Sequence, residues 1–159
     1  MDRLWAPWRH KYVVNPEGEG CIFCKKPSEN KDEENFILYR GKYVFVIMNV
    51  YPYNNGHLMI APYRHIGEVT ELTDDEVAEM AKVCQKSVKV LKNKMSPDGF
   101  NLGMNLGKIA GAGFEHHLHI HVVPRWSGDT NFMPVVSNTK VIPISLQEAY
   151  RILKDGFKD

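Results

Sequence analysis

Between residues 117 and 123 the chain reads HLHIHVV, with polar and apolar side chains on alternate positions. A period of two predicts a half-buried strand, with His117, His119 and His121 on one face and the aliphatics on the other. Three earlier stretches also carry strand composition: FILYR (36–40), YVFVIMN (43–49) and HLMIAP (57–62), the last two separated by the turn-forming YPYNNG. These predict a meander. From residue 73 the period lengthens, because Val77, Met80, Ala81, Cys84, Val88, Leu91 and Met95 recur at threes and fours, as on one stripe of a helix. Thr73 followed by Glu76 predicts a capping box at its start, and Pro97 with Gly99 its end. FNLGMNLG (100–107) then reads as a strand, GKIAGAG as a loop, HLHIHVVP (117–124) as a strand and SGDTN as a polar loop. A short strand near KVIPI (140–144) and a closing helix from Ser145, boxed by Glu148, complete the chain. The fold class expected is α+β: a mainly antiparallel sheet with one long helix and a C-terminal helix. One domain is expected over residues 1–159, with an irregular arm over 1–20 and the closing helix over 145–159.

Composition narrows the function classes. With 43% hydrophobic and 25% charged residues the chain has enough material for a real core. Twenty basic residues against nineteen acidic leave a net charge of +1, so no bulk field draws it to nucleic acid or to an anionic membrane. No apolar run approaches a membrane span, and MDRLWAPWRHKYVV lacks the succession of a signal peptide; a cytoplasmic protein is expected. Cysteines number three, and Cys21 and Cys24 in CIFC have the spacing of a metal or redox site. Cys84, on the apolar stripe of the helix, reads as a small core residue.

Histidines two apart on a strand lie about 6.5 to 7 Å from one another, so three in a row span too far for one ion. A neutral imidazole can attack phosphorus with one nitrogen while the other donates to a carbonyl, and a neighbouring imidazole can hydrogen-bond the phosphoryl oxygens.

HLHIHVV resembles the defining motif of the histidine triad (HIT) superfamily, and MNVYPYNNGHLMIAPYRHI resembles its first block. EHHLHIHVVPRWSGDTNFMPV is similar to the branch that acts on diadenosine polyphosphates, as phosphorylases or hydrolases. The resemblance implies a HIT-like fold and an enzyme that passes through a nucleotidyl-histidine. By position, His119 matches the nucleophile, His121 the residue that contacts phosphate and leaving-group oxygens, and His57 the histidine that supports them. Asn49 matches the residue that binds the ribose hydroxyls. Asn105 is a candidate for a phosphate or leaving-group contact. The loop before the motif departs from the family's Gly-Gln-Ser or Gly-Gln-Thr, having Gly111, Ala112, Gly113 and Phe114. Backbone N–H groups around Gly111 and Gly113 are what remains to cradle phosphate. Zinc-bearing relatives imply that His65 and His117 join Cys21 and Cys24 around a structural zinc, with His116 a bystander on the opposite face. The resemblance further implies a nucleotide substrate, with magnesium on its polyphosphate, and a homodimer. Water or inorganic phosphate as acceptor stays open. The alternatives are a nucleoside phosphoramidate or acyl-nucleotide hydrolase and, from another class, a zinc-stabilised nucleic-acid or protein-binding module, which near-neutral charge disfavours.

Overall fold

A computed structural model describes residues 20–137 and 139–158. The arm expected over residues 1–20 lies, except for Gly20, outside the described residues. Five strands, β1 (Ile37–Arg40), β2 (Val44–Met48), β3 (Leu58–Pro62), β4 (Gly99–Gly103) and β5 (Ile120–Arg125), form one sheet in the order β1-β2-β3-β5-β4, with every pairing antiparallel. The described helices are α1 (Ile22–Ser28), α2 (Asp74–Met95), α3 (Met133–Ser137) and α4 (Leu146–Gly156), besides short 3-10 turns. The α+β class and the meander of the first three strands are as the pattern predicts.

The two sheet faces are covered differently. Val44, Val46, Met48, Leu58, Ile60 and Val122 point to one side and pack with Met80, Val83, Val90 and Leu91 of α2 and Tyr150 and Leu153 of α4. Phe45, Ile47, Met59 and Ala61 point to the other side, where Phe23 of α1 closes over them. Strand parity then decides the site: Val122 faces the two long helices, so His119 and His121 face the α1 side.

α2 begins as predicted. Thr73 accepts from the Glu76 N–H while Glu76 accepts from the Thr73 N–H, and Ser96 ends the helix in a left-handed conformation at φ 47°. The stripe is turned from the expected one, because the buried residues are Glu76, Met80, Val83, Ser87, Val90 and Leu91. Val77 is 50% exposed and Cys84 half-buried. Ser145 caps α4 by accepting from the Glu148 N–H.

Other boundaries need correction. Residues 139–144 carry no strand, while α1 and α3, each a single short turn or two, were not legible as helices. β4 stops at Gly103 rather than running to Gly107. β5 starts at Ile120, three residues later than expected. The β3–β5 ladder ends at Ile60 opposite Ile120 because the next groups bond otherwise: the His117 ring takes the Pro62 carbonyl, and the Leu118 N–H reaches Ile66.

Candidate functional site

The turn YPYNNG brings the first functional histidine to the sheet. Gly56 has φ +71°, and a Cβ there would lie 2.8 Å from the Met95 sulfur, so glycine is required before His57. His57 is 1% exposed and its Nδ1 accepts the Tyr53 N–H at 3.1 Å. In the neutral ring that bond assigns the proton to Nε2, which lies 2.9 Å from His121 Nδ1. His121 Nδ1 is therefore the acceptor, and its own proton sits on Nε2. A backbone N–H thus sets two tautomers in series and leaves His121 as a hydrogen-bond donor.

His119 stands beside this pair, its ring centroid 4.8 Å from that of His121. Its Nδ1 lies 2.9 Å from the His117 carbonyl, which can only accept, so the lone pair of the neutral ring is on Nε2. Phe23 stacks on the His119 ring at 4.7 Å and 30°, and Tyr53 stacks on His121 at 5.8 Å and 27°. An electron-pair donor and a proton donor therefore lie side by side in a wall of aromatic rings.

Asn49 is buried at the end of β2, where its Oδ1 accepts the Tyr51 N–H at 2.9 Å, so its NH₂ is the half of the amide better placed to meet another molecule. Asn105 and Gly111 are on the exposed loop and are joined to each other, Nδ2 to carbonyl, at 3.5 Å. Gly113 precedes Phe114, whose ring meets Phe23 edge-on at 5.8 Å and fastens the loop's end beside His119.

The third imidazole of the motif belongs to a different cluster. His117 Nε2 donates to the Pro62 carbonyl at 2.8 Å, which leaves Nδ1 as its lone-pair nitrogen. That Nδ1 lies 3.2 Å from Cys21 Sγ, 3.5 Å from Cys24 Sγ and 3.2 Å from His65 Nδ1, while Cys24 Sγ lies 3.3 Å from His65 Nδ1. These four ligand atoms all fall within 4.8 Å of one another and could hold a metal ion. Burial holds the His117 pKa down to about 4, keeping the ring neutral as a ligand must be. Burial, with Cys21 beside it, pushes the Cys24 thiol up to about 11. His116 is exposed, with its Nε2 3.3 Å from Glu115 Oε1.

The expected residues thus separate into two sites that share one segment, His117 to His121. Phe23, Tyr53 and Phe114 were missed as site residues. Phe23 was visible only as an apolar residue within CIFC, and the role of the Tyr53 N–H leaves no trace in side-chain identity.

A sheet of this order, with histidines at alternate positions leading into its fourth strand in space, defines a histidine triad fold. The model of the HIT domain family matches residues 30–128, and the chain belongs to that family. It is 43% identical over 161 residues to the AP-4-A phosphorylase of Mycobacterium tuberculosis, covering 96% of this chain and 83% of that one. A HIT-like protein of Methanocaldococcus jannaschii is 34% identical over 84% of this chain and 98% of its own. The crystal structure of a Zn-bound histidine triad family protein from Mycobacterium smegmatis superimposes with TM-score 0.70 at 26% identity, covering 87% of this chain and 94% of that one.

Proposed function

We propose that the protein cleaves dinucleoside polyphosphates of the diadenosine tetraphosphate type through a nucleotidyl-histidine at His119, and that inorganic phosphate accepts the nucleotidyl group. The observation that carries this reading is the directed hydrogen-bond chain from the Tyr53 N–H through His57 to His121, set beside a His119 whose Nδ1 is bound to a carbonyl. The similarity to the mycobacterial AP-4-A phosphorylase over nearly the whole chain supports the substrate class and the acceptor.

The steps balance as follows. The Nε2 lone pair of His119 forms an N–P bond to the α-phosphorus as the P–O bond to the departing nucleoside triphosphate breaks. The electron pair leaves on the triphosphate oxygen, where the His121 Nε2–H hydrogen-bonds the charge. A phosphate oxygen then attacks the same phosphorus, a P–O bond forms, the N–P bond breaks and the pair returns to His119. Asn49 meets the ribose hydroxyls through its NH₂. Backbone N–H groups near Gly111 and Gly113, with Asn105, meet the polyphosphate. Among the described residues the Cys/His cluster is the one set able to hold a metal, so magnesium would arrive with the polyphosphate.

Zinc is the ion assigned to Cys21, Cys24, His65 and His117. Bonds of about 2.3 Å to sulfur and 2.0–2.1 Å to nitrogen give tetrahedral edges of roughly 3.3 to 3.8 Å. Three of the four sulfur–nitrogen separations and the nitrogen–nitrogen one, at 3.2 to 3.5 Å, are close to those edges, and all four ligand atoms lie within 4.8 Å of one another. Four protein ligands leave no open position, so the ion supplies structure and activates no water. Reduced thiols suit the cytoplasm. A single domain that pairs as a homodimer completes the proposal.

The test is product analysis with adenine-labelled diadenosine tetraphosphate. Phosphorolysis yields ADP with ATP and requires added phosphate. AMP with ATP, independent of phosphate, makes the protein a hydrolase of the same type. Absence of acid-labile label on a folded protein turning over no substrate would overturn the enzymatic reading.

A further inference from the structure

Resting on that reading, we infer that Phe23 is a positioning residue: its ring face holds the His119 imidazole in the attacking plane and ties that plane to the Cys/His cluster. The hydrogen bond from Nδ1 to the His117 carbonyl fixes one edge of the His119 ring. That bond alone does not set the plane of the ring: turning about it would point the Nε2 lone pair away from an in-line phosphorus. A flat surface against the ring removes this freedom, and Phe23 supplies it, stacked at 4.7 Å and 30°.

Phe23 is itself held. It is 1% exposed, its edge meets Phe114 at 5.8 Å and 80°, and Phe45 lies 6.5 Å away. It also lies 5.2 Å from the His117 ring, on the metal side. Its backbone is set by the first turn of α1, where the N–H groups of Cys24 and Lys25 both bond the Cys21 carbonyl. Cys21 and Cys24 therefore straddle Phe23, and anything that gathers the two sulfurs also fixes the aromatic face. The same face acts on charge: when Nε2 bonds phosphorus while Nδ1 keeps its proton, the ring becomes cationic, and an aromatic face stabilises a cation.

The experiment compares Phe23→Leu and Phe23→Met with the parent protein. Methionine fills the apolar space without a flat face, and serves should leucine disturb the fold. Metal content and a melting curve accompany each variant. Label transfer to the protein is followed in a single turnover of adenine-labelled diadenosine tetraphosphate, beside kcat and KM. Both variants are expected to hold the metal while labelling and kcat fall about tenfold to a hundredfold. KM should stay within about twofold. Phe23→Tyr, which keeps the ring face, should restore most of the rate. The His119 Cε1 proton, shifted upfield by the ring current of Phe23, should move downfield in the leucine and methionine variants whatever their activity. A folded, metal-loaded variant lacking the ring that labels within twofold of the parent overturns the inference alone. A parent protein that takes no label sinks the proposed function and takes the inference with it.

Discussion

Within the single side chain, the site works by assigning protons to nitrogens. Nothing in the side chains of Tyr53 or Pro62 is needed for this: a backbone N–H and two carbonyls direct His57, His117 and His119. His119→Ala is expected to abolish turnover and labelling while the melting curve stays within a few degrees of the parent, because the ring belongs to no metal site. Turnover within tenfold of the parent would remove His119 from its role. The alternation of HLHIH put His117, His119 and His121 on one face and CIFC marked Cys21 and Cys24, whereas His57, His65 and Asn49 were legible only through the family resemblance. What was unreadable is what other groups do to them. The sequence marks Asn49 as an amide, while only the turn reveals that Tyr51 has already engaged its oxygen. It likewise marks Phe23 as apolar, while the stacking on His119 needs α1 and β5 in place.

Across the elements, the starts of α2 and α4 were legible, while the buried face of α2 was not. Capping at Thr73 and Ser145 is a local matter of side chains three residues apart: the Thr73–Glu76 box is complete, while at Ser145 the half in which its hydroxyl accepts from the Glu148 N–H is the one formed. The buried face of α2 depends on where the sheet and α4 lie, which a period cannot give. Glu76 illustrates the point, since it sits on the buried face because Arg64 crosses from the end of β3 to bind both its oxygens at 2.7 Å. Arg64 holds its carboxylate down at about 2, with the Thr73 N–H assisting. A carboxylate depressed from 4.5 to about 2 contributes stability that is present above pH 4.5 and lost as the pH falls toward 2. Urea unfolding at pH 6 and pH 3 should show Glu76→Gln losing about 2 kcal/mol at the higher pH and much less at the lower. Equal losses at both would refute the pairing as the source. At α1, seven residues containing Pro27 offer no helical period, and the element sets Cys24, with its N-cap Cys21, in the Cys/His cluster that could hold a metal. Cys24→Ser should therefore lower zinc content and melting temperature together, with activity falling through displacement of Phe23 and His117. Elemental analysis on untagged protein decides this: no zinc in the parent, or a full equivalent and an unchanged melt in the variant, would exclude the site.

For the whole molecule, the sheet order leaves β1 and β4 at the edges, and only one of them is covered within the described chain. At β1, Tyr150 and Lys154 of α4 donate to the Ile37 carbonyl and Lys154 also to that of Leu38. At β4, residues Asn101, Leu102 and Gly103 are exposed, with Leu102 at 52%. An open, partly apolar strand edge invites pairing with another chain. On α2, among the residues the periodicity had assigned to the core, Cys84 and Val88 are half-buried against it, while Val77 is 50% exposed among the described residues. The amphipathic stripe therefore reaches beyond what the described residues bury, at Val77, and a second copy is the object expected to cover it together with β4. A two-fold axis beside β4 would pair the strand with itself, cover Leu102 and extend the sheet across both protomers. Sedimentation at micromolar concentration is expected to give twice the 18.3 kDa of the chain. Leu102→Glu would set like charges face to face across that axis and should yield a folded monomer. A parent that sediments as a monomer, or a Leu102→Glu protein that stays dimeric, would place the partner, if any, on another surface.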